Sequence, residues 1–176
     1  ESTTQSVAEV LPPGMRMIRD FHDHPAYIGA LAANVRRHWD RHGRAPVTML
    51  SFHGLPKRGG DEYRRQCLAT AGLLRNELGL DESACRVTFQ SRFGYAEWLQ
   101  PYTEPTLLEL ARDGMKRVDV FCPGFVSDCL ETLEEIGISA KEKFLHAGGS
   151  ELCLLPCLND APEWIAALAA IVRGNG

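Results

Sequence analysis

The residues whose types and spacing could do chemistry are His53 and three carboxylates, Asp128, Glu131 and Glu135. An imidazole titrates near neutrality, so His53 can act as a base or, in its neutral form, bind a metal. A histidine hydrogen-bonded to loop backbone gives the same local sequence, and the two readings weigh equally. The carboxylates follow one another at intervals of three and four residues, which puts them on one face of a continuous helix. Like charges so placed cost roughly 0.2–0.5 kcal/mol per pair on an exposed helix. A cation or a shared proton would relieve them, although a solvated acidic face is the commoner arrangement. His22-Asp23-His24 has chelating spacing but no evident third ligand, and a structural role at the turn into Pro25 is favoured. Trp98, Phe93 and Tyr95 could line a pocket for a flat ligand or pack in the core.

Strand ends must position these groups. Residues 47–52 form an apolar run with His53-Gly54-Leu55-Pro56 at its carboxyl end, and residues 118–121, interrupted only by Asp119, lead through Cys122-Pro123-Gly124 into the acidic helix. Further strands are expected at 15–18, 86–89 and 152–155. Helices are expected at 7–11, from Pro25 to a stop at Gly43, from Asp61 to Gly79, from a Thr103 cap to Gly114, and over 162–172. Strands alternating with helices predict an α/β fold, a doubly wound parallel sheet covered on both faces, in a single domain spanning residues 1–176. Such sheets bind ligands at the carboxyl ends of their strands.

The 176 residues are 44% apolar, enough for a sizeable core in one domain. Nineteen basic and 23 acidic residues give a formal charge of −4 with neither sign gathered into a block, so nucleic acid is not an expected partner. There is no apolar run of membrane-spanning length, and the opening ESTTQSVAEV lacks the parts of a signal peptide, which makes a cytoplasmic location the expectation. Peripheral membrane association would leave little trace. The six cysteines are too few for a disulfide scaffold and read as reduced structural thiols. An iron–sulfur or zinc site built on Cys153 and Cys157 is the less favoured reading, because no CxxC pair exists.

SFHGLPK at 51–57, FQSRFG at 89–94, EWLQPYT at 97–103 and CPGFVSDCLETLEEI at 122–136 stand in an order that resembles the ferrochelatase family, bacterial type. HDHPAYI at 22–28 and PCLNDAPEWI at 156–165 extend the resemblance from about residue 3 to the end of the chain. It implies a lyase of haem and porphyrin biosynthesis, inserting ferrous iron into a porphyrin with loss of two pyrrole protons and needing no cofactor beyond that iron. Family members have two similar Rossmann-like domains facing each other across a cleft. This chain resembles the second, so the absent N-terminal domain or a partner chain would complete the cleft. By the same resemblance His53 and Glu131 are catalytic, and His53, Glu131, Asp128 and Glu135 form the metal or proton path. Trp98, Ser91 and Gln90 contact the porphyrin. Desolvation and mutual repulsion are expected to raise the pKa of one carboxylate. Cys129 stands where some relatives carry histidine, and Ser139 where another acid is often found. The alternatives are a non-catalytic tetrapyrrole- or metal-binding module, a half-cleft needing a partner, or a small chelatase that dimerises. Protoporphyrin and coproporphyrin remain equal as substrates.

Overall fold

The computed structural model of the protein describes residues 17–174. The expected helix at 7–11 lies outside the described residues, as does the first half of the expected strand at 15–18; Met17 and Ile18 are not in a strand. Strands β1 (Val47–His53), β2 (Cys85–Gln90), β3 (Arg117–Phe121) and β4 (Glu151–Leu154) form one parallel sheet in the order β2-β1-β3-β4. The helices are α1 (Pro25–His42), α2 (Asp61–Leu78), α3 (Thr103–Arg112), α4 (Leu130–Leu133), a π-helix (Glu135–Ala140), α5 (Lys141–His146) and α6 (Pro162–Arg173).

Alternation along the strands divides the core into two layers. Leu50, Phe52, Phe89 and Phe121 point to one face and pack with Leu31 and Val35 of α1, Leu74 of α2 and Trp164 of α6. Val47, Met49, Val118 and Val120 point to the other, against Leu107 of α3, Ile136 of the π-helix and Phe144 of α5. Burial on both faces is why these strands read as apolar runs. Gly43 and Gly79 end α1 and α2 with φ of 72° and 64°, where an L side chain would be strained.

The chain leaves β1 for α2 on the first face and leaves β3 for the π-helix on the second. Adjacent strands whose connections diverge in this way open a crevice at their carboxyl ends. Both β1 and β2 run one residue further than expected, so His53 and Gln90 pair on the last rung rather than beginning loops.

Two expectations are corrected. Thr103 does not cap α3; Tyr102 takes that position, and the Thr103 hydroxyl is buried against Ser51 and Thr88 instead. The acidic helix is not continuous either. Its first turn starts at Leu130 with Cys129 as N-cap, and it widens into the π-helix at Glu135. Asp128 therefore precedes the helix, and the three carboxylates do not share one regular face.

Candidate active site

His53 ends β1 half-buried, and its Nδ1 lies 2.6 Å from the Gly54 carbonyl. With the proton on Nδ1 donated to that oxygen, Nε2 keeps its lone pair for a proton or a metal. The backbone beneath it is tightly laced. Gly54 N–H donates to Gln90 O at 2.8 Å, Leu99 N–H to Leu55 O at 2.9 Å and Lys57 N–H to Glu97 O at 2.8 Å, so the loops after β1 and β2 form one unit. A Cβ on Gly54 would sit 2.6 Å from Gln90 O and 3.2 Å from the Trp98 ring, a close approach that only glycine permits. Trp98 is thereby packed directly beside the His53 turn. Its indole N–H is buried without a hydrogen-bond partner among the described residues.

Glu131 lies one residue into α4 and is half-buried. Its own backbone N–H, then the Cys129 thiol, hold its pKa below the usual range, with a further lowering from His53. Gln90 fixes the segment from below: Nε2 donates to the Glu131 carbonyl at 2.6 Å while Oε1 accepts from Ser51 Oγ at 2.6 Å and Cys122 Sγ at 3.4 Å. Gln90 is 4% exposed, so the expected porphyrin contact gives way to a supporting position under Glu131.

Glu135 is tied to β2 through both oxygens, which accept from Ser91 N–H at 2.7 Å and Ser91 Oγ at 2.6 Å. Ser91 carries φ of 62°, a left-handed conformation uncommon for serine and sustained by these two bonds. Both residues line a cleft with Arg92 and Tyr102. Asp128 faces away: its carboxylate accepts from Asn159 Nδ2 at 2.7 Å and Cys157 N–H at 3.1 Å. Desolvation alone would raise its pKa, but these donors outweigh it and the net shift is downward. The expected rise of one carboxylate is thus reversed at both Asp128 and Glu131. The structure brings His53, Glu131, Glu135, Ser91 and Trp98 to one end of the sheet and withdraws Asp128 and Gln90 into supporting roles.

His24 Nδ1 accepts from Ala26 N–H at 3.2 Å and caps α1, the structural role favoured for that motif. Phe93 and Tyr95 are 82% and 110% exposed, which removes core packing as their explanation. Sequence reasoning missed the buried polar column Ser51, Thr88 and Thr103. Its signal was a hydroxyl residue on each of two strands, Ser51 and Thr88, which share a rung.

A family model described as Ferrochelatase matches residues 2–175. The chain belongs to the ferrochelatase family. A ferrochelatase from Azoarcus sp. (strain BH72) is 57% identical over 166 residues, covering 93% of this chain and 46% of that protein. This ferrochelatase-family chain therefore spans about half the length of that curated relative. Among solved structures, CbiX, described as the terminal enzyme for biosynthesis of siroheme in denitrifying bacteria, superposes with a TM-score of 0.58 at 15% identity, over 98% of this chain and 68% of CbiX. That likeness supports the α/β fold alone.

Proposed function

We propose that this chain is the catalytic half of a ferrochelatase, a lyase that inserts Fe²⁺ into a porphyrin in haem biosynthesis. The observation that carries the reading is His53 at the carboxyl end of β1, with Nδ1 engaged by the Gly54 carbonyl and Nε2 left for a proton or a metal, on the same rung as Gln90, whose amide holds the Glu131 segment. Each turnover releases two pyrrole protons as two nitrogen lone pairs engage the ion. His53 Nε2 accepts one of these protons and the Glu131 carboxylate the other, and each passes its proton to solvent before the next turnover. Fe²⁺ is substrate, drawn by oxygen and nitrogen donors that release it more readily than thiolates would. Glu135, held by Ser91, lies farther along the same acidic edge. Asp128 acts by fixing the entry to α4 rather than as a ligand.

Leu130, next to Glu131, and Phe93, two residues beyond Ser91, are exposed apolar side chains. They support an apolar macrocycle bound there, with a second wall supplied by a further domain or chain. All six cysteines are free, in keeping with a reducing cytoplasm. No described helix is long and apolar enough to cross a membrane.

The test is haem formation from Fe²⁺ and porphyrin by the whole protein. His53→Ala and Glu131→Ala are each expected to lower kcat by about 10²-fold or more. Near-normal turnover in both variants overturns the assignment.

A further inference from the structure

We propose that His38, Asp119 and Cys153 form a second metal site, for a divalent cation of borderline softness, distinct from the candidate active site. Asp119 and Cys153 are partners on one rung of the sheet, and His38 reaches them from α1. One donor atom of each lies within 4.8 Å of the others. A tetrahedral ion with bonds of about 2.0–2.3 Å holds its ligands about 3.3–3.8 Å apart, so an inward shift of about 1 Å closes the set.

Asp119 is fully buried, and its carboxylate is divided between two tasks. Oδ2 accepts from Trp39 Nε1 at 3.0 Å and Ala45 N–H at 3.1 Å, which fixes the plane of the group. Oδ1 is buried with no hydrogen-bond partner among the described residues, and so is His38 Nε2. A buried acceptor and a buried imidazole nitrogen left unmatched beside a thiol point to a missing shared partner. Nitrogen, oxygen and sulfur donors together suit Zn²⁺ and its neighbours. A carboxylate whose second oxygen is held by an indole N–H and a backbone N–H has the outer support typical of metal ligands.

The surrounding charges fit the same conclusion. Glu151 Oε1 is 3.2 Å from Cys153 Sγ, and its other oxygen is 3.2 Å from Arg117 Nε; the Arg117 guanidinium is also 3.9 Å from Asp119 Oδ1. Asp119 and Glu151 are two carboxylates facing the Arg117 guanidinium; the Cys153 thiol donates to Glu151, and Lys141 lies at the rim of the recess. A divalent ion that displaces the thiol proton therefore enters an environment that is not cationic on balance. The His42 ring lies against His38, with centroids 4.6 Å apart and the planes tilted by 36°. β4 is an edge strand, and a recess lined by His38, His42, Glu151 and Cys153 opens the site to solvent for entry and a fourth ligand. Thr48, on the Asp119 rung, precedes His53 by five positions, so at about 3.3 Å per residue the two sites lie roughly 16 Å apart.

The experiment uses the whole protein carrying His53→Ala and Glu131→Ala, so that the candidate active site does not compete. Titrated Co²⁺ is expected to bind with a sulfur-to-cobalt charge-transfer band, and Zn²⁺ to displace it with release of the thiol proton. Cys153→Ser abolishes the band. His38→Gln weakens Zn²⁺ at least 10-fold, and Trp39→Phe, which touches no metal, weakens it about 10-fold. Circular dichroism checks folding; should His38→Gln unfold, Cys153→Ser at its half-exposed position decides. A folded protein that shows no band, or a band that survives Cys153→Ser, overturns the proposal.

Discussion

Gln90 joins β1, the end of β3 and the start of α4 through one side chain. One end of its amide holds the Glu131 carbonyl and the other holds Ser51 and Cys122, so it transmits the position of the strands to the carboxylate above. Gln90→Leu keeps the approximate volume and strands those partners. It is expected to cost about 1–3 kcal/mol in urea unfolding and to lower kcat for haem formation while leaving KM for porphyrin unchanged. A raised KM at unchanged kcat would restore a direct porphyrin contact. Asp128 gives a pH signature. Its folded pKa lies below the ordinary 3.8, so its contribution is fully present above that value and is lost as pH falls through the folded pKa. Unfolding of Asp128→Asn is accordingly expected to show a shallower loss of stability below about pH 4 than wild type. An identical acid slope in the two proteins would remove Asp128 from this role.

At the scale of elements, the turn after β1 depends on the absence of a side chain. Gly54→Ala places a Cβ 2.6 Å from the Gln90 carbonyl, a backbone atom that cannot swing aside. The variant is expected to lose about 1–3 kcal/mol and most of its turnover, because relief of the clash moves His53 or Trp98. Thermal melts and haem assays check both. The strands and long helices were legible because apolar runs, helical periodicity and glycine stops all act locally; Gly43 and Gly79 end their helices as read. His53 was legible because its position at a strand end carries the signal. The broken acidic helix was not. Its widening at Glu135 is coupled to distant contacts, with Ser91 tethering Glu135, Gly137 lying against Leu154 of β4, and Ile136 and Phe144 buried. For the same reason helical spacing grouped Asp128 with Glu131, whereas Asn159 from beyond β4 draws Asp128 away.

Across the whole molecule, the two core layers carry different duties. The first layer anchors the sheet through Trp164, which is 5% exposed and packs 5.7 Å from Tyr27 and 5.9 Å from Phe21, centroid to centroid. The second layer carries the π-helix and with it Glu135. Trp164→Ala is expected to cost about 3–5 kcal/mol in chemical denaturation, with the residual folded protein keeping its active-site chemistry. The strand order bears on how the protein comes into being. Every pairing in β2-β1-β3-β4 is parallel and made across an intervening helix, so no hairpin can form early and hold two site loops together. His53, Gln90 and Glu131 meet only after loop closures over long stretches of chain, which slows folding. A ribosome-bound chain stopped before β3 has β1 and β2 but no crevice between β1 and β3, and the exposed edge of β1 is then the surface a chaperone must cover.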